Sequence, residues 1–168
     1  MKYSRFEELP VWQAAIEFAI KIFEFTGKAE DLFRRRLGDT KSQLERAALS
    51  VSNNIAEGFE RGTNAELINF LYIARGSAGE SRSMLCLCEK LPTFKDFKSE
   101  IEHLKLRAES ISKQLHGWIE SLKNSEIKGV KFLTEKERRK IQQIKEDKEF
   151  QELLQKVTRG EKIDWNKI

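Results

Sequence analysis

A chain of 168 residues, 39% hydrophobic and 35% charged, can bury one modest core and keep most of its surface solvated. Only two prolines occur, no regular series of strands and turns is visible, and no apolar run approaches the roughly 20 residues of a membrane span, so an all-α chain that does not cross a membrane is expected. The net charge of +4 is uneven: residues 1–127 carry 19 Lys+Arg against 19 Asp+Glu, whereas residues 128–168 carry 12 against 8. That shift places a boundary after residue 127, between a helical bundle and a basic, partly helical C-terminal extension.

The first ten residues, MKYSRFEELP, lack the apolar core of a secretory signal. A helix is predicted from about Pro10 to Gly27. Trp12, Ile16, Ala19 and Phe23 form one stripe, and Val11, Ala15, Phe18, Ile22 and Phe25 the adjacent one. Together they span about 180°, wider than the ~100° a bundle helix needs. The surplus calls for a second burial partner, another subunit or the C-terminal tail. Trp12, Phe18, Ile22 and Phe25 are the candidate oligomer interface.

Residues 28–40 read as a polar connection. It holds Arg34, Arg35 and Arg36, and Lys41 follows closely; three adjacent arginines can meet phosphates, or can simply be solvated. The second helix is predicted over Thr40–Glu57, with Leu44, Ala47, Ala48, Val51 and Ile55 on its core stripe. Asn54 stands beside that stripe and is expected to tie the helix to a neighbour. Gly58-Phe-Glu-Arg-Gly62 is expected to be a glycine-bracketed turn. Thr63 or Asn64 caps the third helix, and Thr63-x-x-Glu66 fits a capping box.

The third helix, about Asn64–Lys90, carries Leu67, Leu71, Ala74, Ala78, Leu85 and Cys88 on its stripe. Gly76 and Gly79 each cost about 1 kcal/mol against alanine, which predicts a closely packed neighbouring helix there. Glu80 is read as an internal ion-pair or capping group. Cys86 and Cys88, two apart on a helix, point too far apart to pair or chelate, so a reduced, cytoplasmic compartment is expected. After Leu91-Pro92-Thr93, a fourth helix over Lys95–Lys123 carries Phe97, Ile101, Leu104, Ala108, Ile111, Leu115, Ile119 and Leu122 as a coiled-coil-like seam. Short connections between four helices predict an antiparallel up-down-up-down four-helix bundle with a C-terminal helical extension.

In the extension, Thr134-x-x-Glu137 is a second capping box, and Arg138-Arg139-Lys140 is the densest basic cluster, a second candidate nucleic-acid contact. Phe150, Leu153, Leu154 and Val157 stand at helical spacing, and with Trp165 they make a candidate partner-docking surface.

Complete catalytic sets are missing. A di-iron bundle needs two Glu-x-x-His pairs. Glu100-x-x-His103 supplies one, but Lys113 precedes His116 where the second glutamate would stand. No phosphate-loop pattern occurs, so no enzyme, cofactor or metal is predicted.

Three stretches in order carry a family resemblance: Phe6-Glu-Glu-Leu-Pro-Val-Trp-Gln-Ala-Ala15; Gln43-Leu-Glu-Arg-Ala-Ala48 with Ser52-Asn-Asn-Ile-Ala-Glu-Gly58; and Phe70-Leu-Tyr-Ile-Ala-Arg-Gly-Ser77 with Glu80. Over residues 3–122 the chain resembles the bacterial four-helix-bundle family that includes ribosomal RNA intervening-sequence proteins and the accessory variability determinant of diversity-generating retroelements. The resemblance implies an antiparallel bundle assembled as a homopentamer. For the retroelement branch it implies nucleic-acid binding, RNA or DNA, and association with a reverse transcriptase. Retroelement accessory proteins are strongly basic over the bundle, whereas this bundle is neutral by count. Two functions are therefore expected: a non-enzymatic oligomeric scaffold for RNA or a ribonucleoprotein, or a protein–protein adaptor whose tail docks a partner.

Overall fold

Amphipathic periodicity and short connections leave each long helix lying beside the one before it. The computed structural model describes residues 3–125 and the isolated helical positions Gln143, Glu146, Asp147, Phe150, Gln151, Leu154 and Thr158. By packing, the chain divides into two units, Met1–Gly129 and Val130–Ile168. Unit one opens with a 3₁₀ turn, Phe6–Glu8, followed by helices α1 (Pro10–Lys28), α2 (Glu30–Arg36), α3 (Thr40–Glu60) and α4 (Asn64–Lys90). A 3₁₀ segment, Pro92–Phe97, then leads into α5 (Lys98–Lys123). There is no strand among the described residues.

Contacts run from α1 to α3, α3 to α4, α4 to α5, and from α5 back to α1. Cross-helix bonds give the directions. Thr26, near the end of α1, donates to Glu45 near the start of α3 at 2.5 Å. Lys105, early in α5, reaches Glu89, late in α4, at 2.7 Å. Lys28 of α1 meets Glu100 of α5 at 2.9 Å, and Arg107 meets Glu17 at 3.6 Å. Each neighbouring pair is antiparallel, so the four long helices form the up-down-up-down bundle.

The core is continuous along the bundle. Phe18, Ile22 and Phe25 of α1 face Leu44, Val51 and Ile55 of α3, Leu71 and Leu85 of α4, and Ile101, Ile111 and Leu115 of α5. A fully buried side chain of this size contributes about 1.5–3 kcal/mol. The ion pairs lie at the solvent-exposed seams, where each is worth about 0–1 kcal/mol, so the apolar core dominates. Cys88 belongs to that core, and burial pushes its thiol pKa up to about 11.

Several local expectations change. The helix does not stop at Gly58: α3 continues to Glu60, and only Gly62 takes a positive φ, +75°. Gly58 is instead a close-approach position. A Cβ there would lie 2.7 Å from Phe70 Cβ and 3.2 Å from Leu67 Cδ1. Gly76 and Gly79 are the reverse: both face solvent, and an added Cβ would meet nothing within 4 Å. Asn54 binds its own helix, donating to the Ser50 carbonyl at 2.7 Å and to Ser50 Oγ at 2.9 Å. The tie to the neighbouring helix is Ser50 itself, 3.0 Å from Ser77 Oγ of α4. Thr63 is the α4 cap: its Oγ accepts from Glu66 N at 3.2 Å and donates to the Glu66 carboxylate at 2.7 Å.

These glycines predict opposite signs. Gly58→Ala should destabilise by about 1–3 kcal/mol, because the methyl meets a rigid Cβ. Gly76→Ala and Gly79→Ala should each stabilise by about 1 kcal/mol. Urea-denaturation midpoints of the three variants check this.

Candidate nucleic-acid interface

Residues 28–40 are not a plain polar connection, because they contain α2. Glu30 and Asp31 occupy its first turn and Arg34, Arg35 and Arg36 its last, so both ends complement the helix dipole. A seven-residue helix is marginal alone. What holds α2 is Phe33, 1% exposed. Its ring packs edge-on against Phe25 at 5.8 Å and Phe94 at 5.2 Å. Phe25 also meets Phe97 at 5.7 Å. Four phenylalanines from α1, α2 and the Pro92–Phe97 segment thus close one end of the bundle. With Phe33 turned inward, the three arginines that follow are all exposed.

The arginines are not equivalent. Arg34 is held by Asp31 at 2.8 Å, and that hydrogen bond keeps the Asp31 carboxyl below its ordinary pKa. Lys41 is half-buried between Glu30 at 3.3 Å and Glu45 at 4.0 Å. Arg35 and Arg36 form no ion pair with any described residue. Of the four cations predicted on the bundle, two are ion-paired and two form no ion pair with a described residue. Arg138, Arg139 and Lys140 lie outside the described residues.

The predicted oligomer interface needs correction. Phe18, Ile22 and Phe25 are each 0% exposed inside this chain's own core, so no second copy can reach them. Trp12 is half-buried, edge-on to Phe6 at 5.2 Å. The outward apolar face of α1 is Ile16, Ile20 and Phe23, with Ile20 52% and Phe23 47% exposed. Leu49 of α3 is also exposed. Phe23 stands three residues before Thr26, and Leu49 four after Glu45. Because α1 and α3 are antiparallel and Thr26 bonds Glu45, both side chains lie on the same stretch of that seam. The i, i+4, i+7 spacing of Ile16, Ile20 and Phe23 was the available sequence signal.

Phe150 and Leu154 of the predicted docking surface, one helical turn apart, are both exposed. Leu153, Val157 and Trp165 lie outside the described residues.

A second feature was not expected from sequence. Between α3 and α4 lies a shallow groove of about 230 Å³, lined by Gln43, Arg46, Ala47, Ser50, Ser77 and Glu80. Glu80, expected to be internal, is exposed on its rim. No group of three potential metal ligands occurs among the described residues. Glu100 of the Glu-x-x-His spacing is engaged by Lys28, and His103 and His116 face solvent. No helix among the described residues is long and apolar enough to cross a membrane.

The fold defines a four-helix-bundle protein with an arginine-bearing helix at one end. The chain belongs to the 23S rRNA-intervening sequence protein family, whose family model matches residues 7–117. Among solved structures it is similar to a protein of unknown function of the S23 ribosomal protein family from Bacteroides thetaiotaomicron VPI-5482. That likeness has a TM-score of 0.58 and 24% identity over 65% of this chain and 97% of the other, and it is a likeness of fold. No curated protein matches the chain.

If the aromatic end holds α2, Phe33→Ala should cost about 3–5 kcal/mol. Calorimetry should show the melting temperature falling by roughly 10 °C or more.

Proposed function

We propose that this protein is a non-enzymatic, self-associating scaffold that binds structured RNA, or a ribonucleoprotein built on it. The observation that carries the reading is the pair Arg35–Arg36, exposed and in no ion pair with a described residue, on a helix anchored by Phe33. Cations placed this way meet phosphates without first giving up an internal ion pair. Family membership supplies the RNA class: the family's description names an intervening sequence of 23S rRNA. A reverse transcriptase is the ribonucleoprotein partner that the retroelement branch of the resemblance adds.

Self-association follows from the apolar seam of Ile16, Ile20, Phe23 and Leu49. One chain carries +4. A ring of five would carry about +20, and several weak phosphate contacts used together gain strength through effective concentration. The basic tail, with Arg138, Arg139 and Lys140, adds a second cationic segment to each copy.

A protein-adaptor reading is favoured by one observation, the exposed Phe150 and Leu154 a helical turn apart. Such a pair suits helix-in-groove recognition. Deleting residues 129–168 separates the two: loss of a protein partner with RNA binding unchanged makes the tail an adaptor.

Filter binding to a structured ribosomal RNA fragment across a salt series tests the main reading. Affinity should fall steeply with salt. Replacing Arg35 and Arg36 by alanine should lower the log–log slope by roughly 1–2 per chain. Absent binding at low salt, or binding indifferent to salt, would overturn the RNA reading.

A further inference from the structure

We propose that the α3–α4 groove receives a single unpaired guanine base of a bound RNA; this rests on the RNA reading above and gives it a base-specific component. The groove's floor is Ala47, Ser50 and Ser77, three small residues, which is why the surface dips here. Its hydrogen bonds are already spent. Ser77 donates its hydroxyl to the Ile73 carbonyl at 3.1 Å. With that proton used, Ser50 is the donor in its 3.0 Å contact with Ser77. Asn54 donates to Ser50 Oγ at 2.9 Å. The chain Asn54, Ser50, Ser77, Ile73 runs in one direction and leaves no floor hydroxyl proton for a ligand.

The rims differ. Arg46 and Gln43 stand on α3 and Glu80 on α4, all exposed. Arg46 spends one N–H on Ser42 Oγ at 2.9 Å, and a guanidinium has five such donors. Glu80 has no hydrogen bond or ion pair with a described residue. Two opposite charges line one groove and do not meet, so the groove keeps a donor fork on one wall and an acceptor pair on the other.

A ligand that satisfies both must present two acceptors at one edge and two donors at another. Guanine does. Its O6 and N7 take an arginine fork, and its N1–H and N2–H₂ suit a carboxylate. Adenine turns an amino group toward the arginine and offers the carboxylate no donor pair. Uracil has one ring N–H, and cytosine offers no N–H pair on one edge. At about 230 Å³ the groove falls below the ~300–1,000 Å³ of sites for drug-sized ligands, so it has room for one base with the sugar and phosphate outside. A base reaches it only where the RNA is single-stranded or looped.

The test uses the full chain and two short single-stranded RNAs that differ only by one central G or A, with affinity read by fluorescence anisotropy. The G-containing RNA should bind roughly 5- to 100-fold more tightly, the discrimination of a good bidentate base contact. Glu80→Gln should erase that preference and leave the affinity for the A-containing RNA unchanged. Arg46→Ala should erase it as well, with circular dichroism showing that both variants fold. Equal, salt-sensitive binding of both RNAs by the wild-type chain would overturn the guanine site and leave the RNA reading standing. A preference that survives Glu80→Gln would place the base elsewhere and also overturn it. No binding of either RNA would overturn the guanine site, and the filter assay with structured RNA then decides the RNA reading separately.

Discussion

Helix α1 carries more apolar surface than one bundle can cover, and much of this molecule follows from that. Its inner half, centred on Phe18, Ile22 and Phe25, is completely buried against α3, α4 and α5. Its outer edge keeps Ile20 and Phe23 about half exposed, with Ile16 partly buried beside them. The inner half fixes the fold. The outer edge is what the proposed assembly would cover. A width of about 180° on a helical wheel therefore contains two surfaces with different jobs, separated by the line along which α3 packs.

Phe25 links this core to the rest. It gathers Phe33, Phe94 and Phe97 at the end of the bundle, and that cluster turns seven polar-looking residues into a helix with a defined orientation. The magnitudes decide how this works. A buried phenylalanine is worth several times an exposed ion pair. Arg34–Asp31 and Lys41–Glu30 therefore trim the charge of α2 and do not hold it in place. Arg35 and Arg36 form no ion pair with a described residue, so position and charge are supplied by different residues.

The long helices and their order were legible in the sequence because each has an apolar stripe at helical spacing over many turns. The Thr63 cap was legible for the same local reason. Residues that depend on the third dimension were not. Phe33 is one aromatic among charges, and its burial is set by Phe25 on the preceding helix and by Phe94, far from it in sequence. Gly58 looked like a turn and is a contact, because only the approach of Phe70 gives it a role. Gly76 and Gly79 looked like contacts and face water. Periodicity places Phe18, Ile22 and Phe25 on the same wide arc as Ile16 and Phe23, and leaves Ile20 off it. It cannot say which part a neighbouring helix claims first. The α3–α4 groove was invisible for another reason: it exists because small residues of two helices, Ala47 and Ser50 of α3 and Ser77 of α4, come together at one place on the seam.

The most direct measurement is native mass spectrometry of the full chain at micromolar concentration, beside an Ile20→Glu/Phe23→Glu double variant. The account predicts a homo-oligomer for the wild-type chain and a folded monomer for the variant. A monomeric wild-type chain, or a variant that assembles as before, would contradict it.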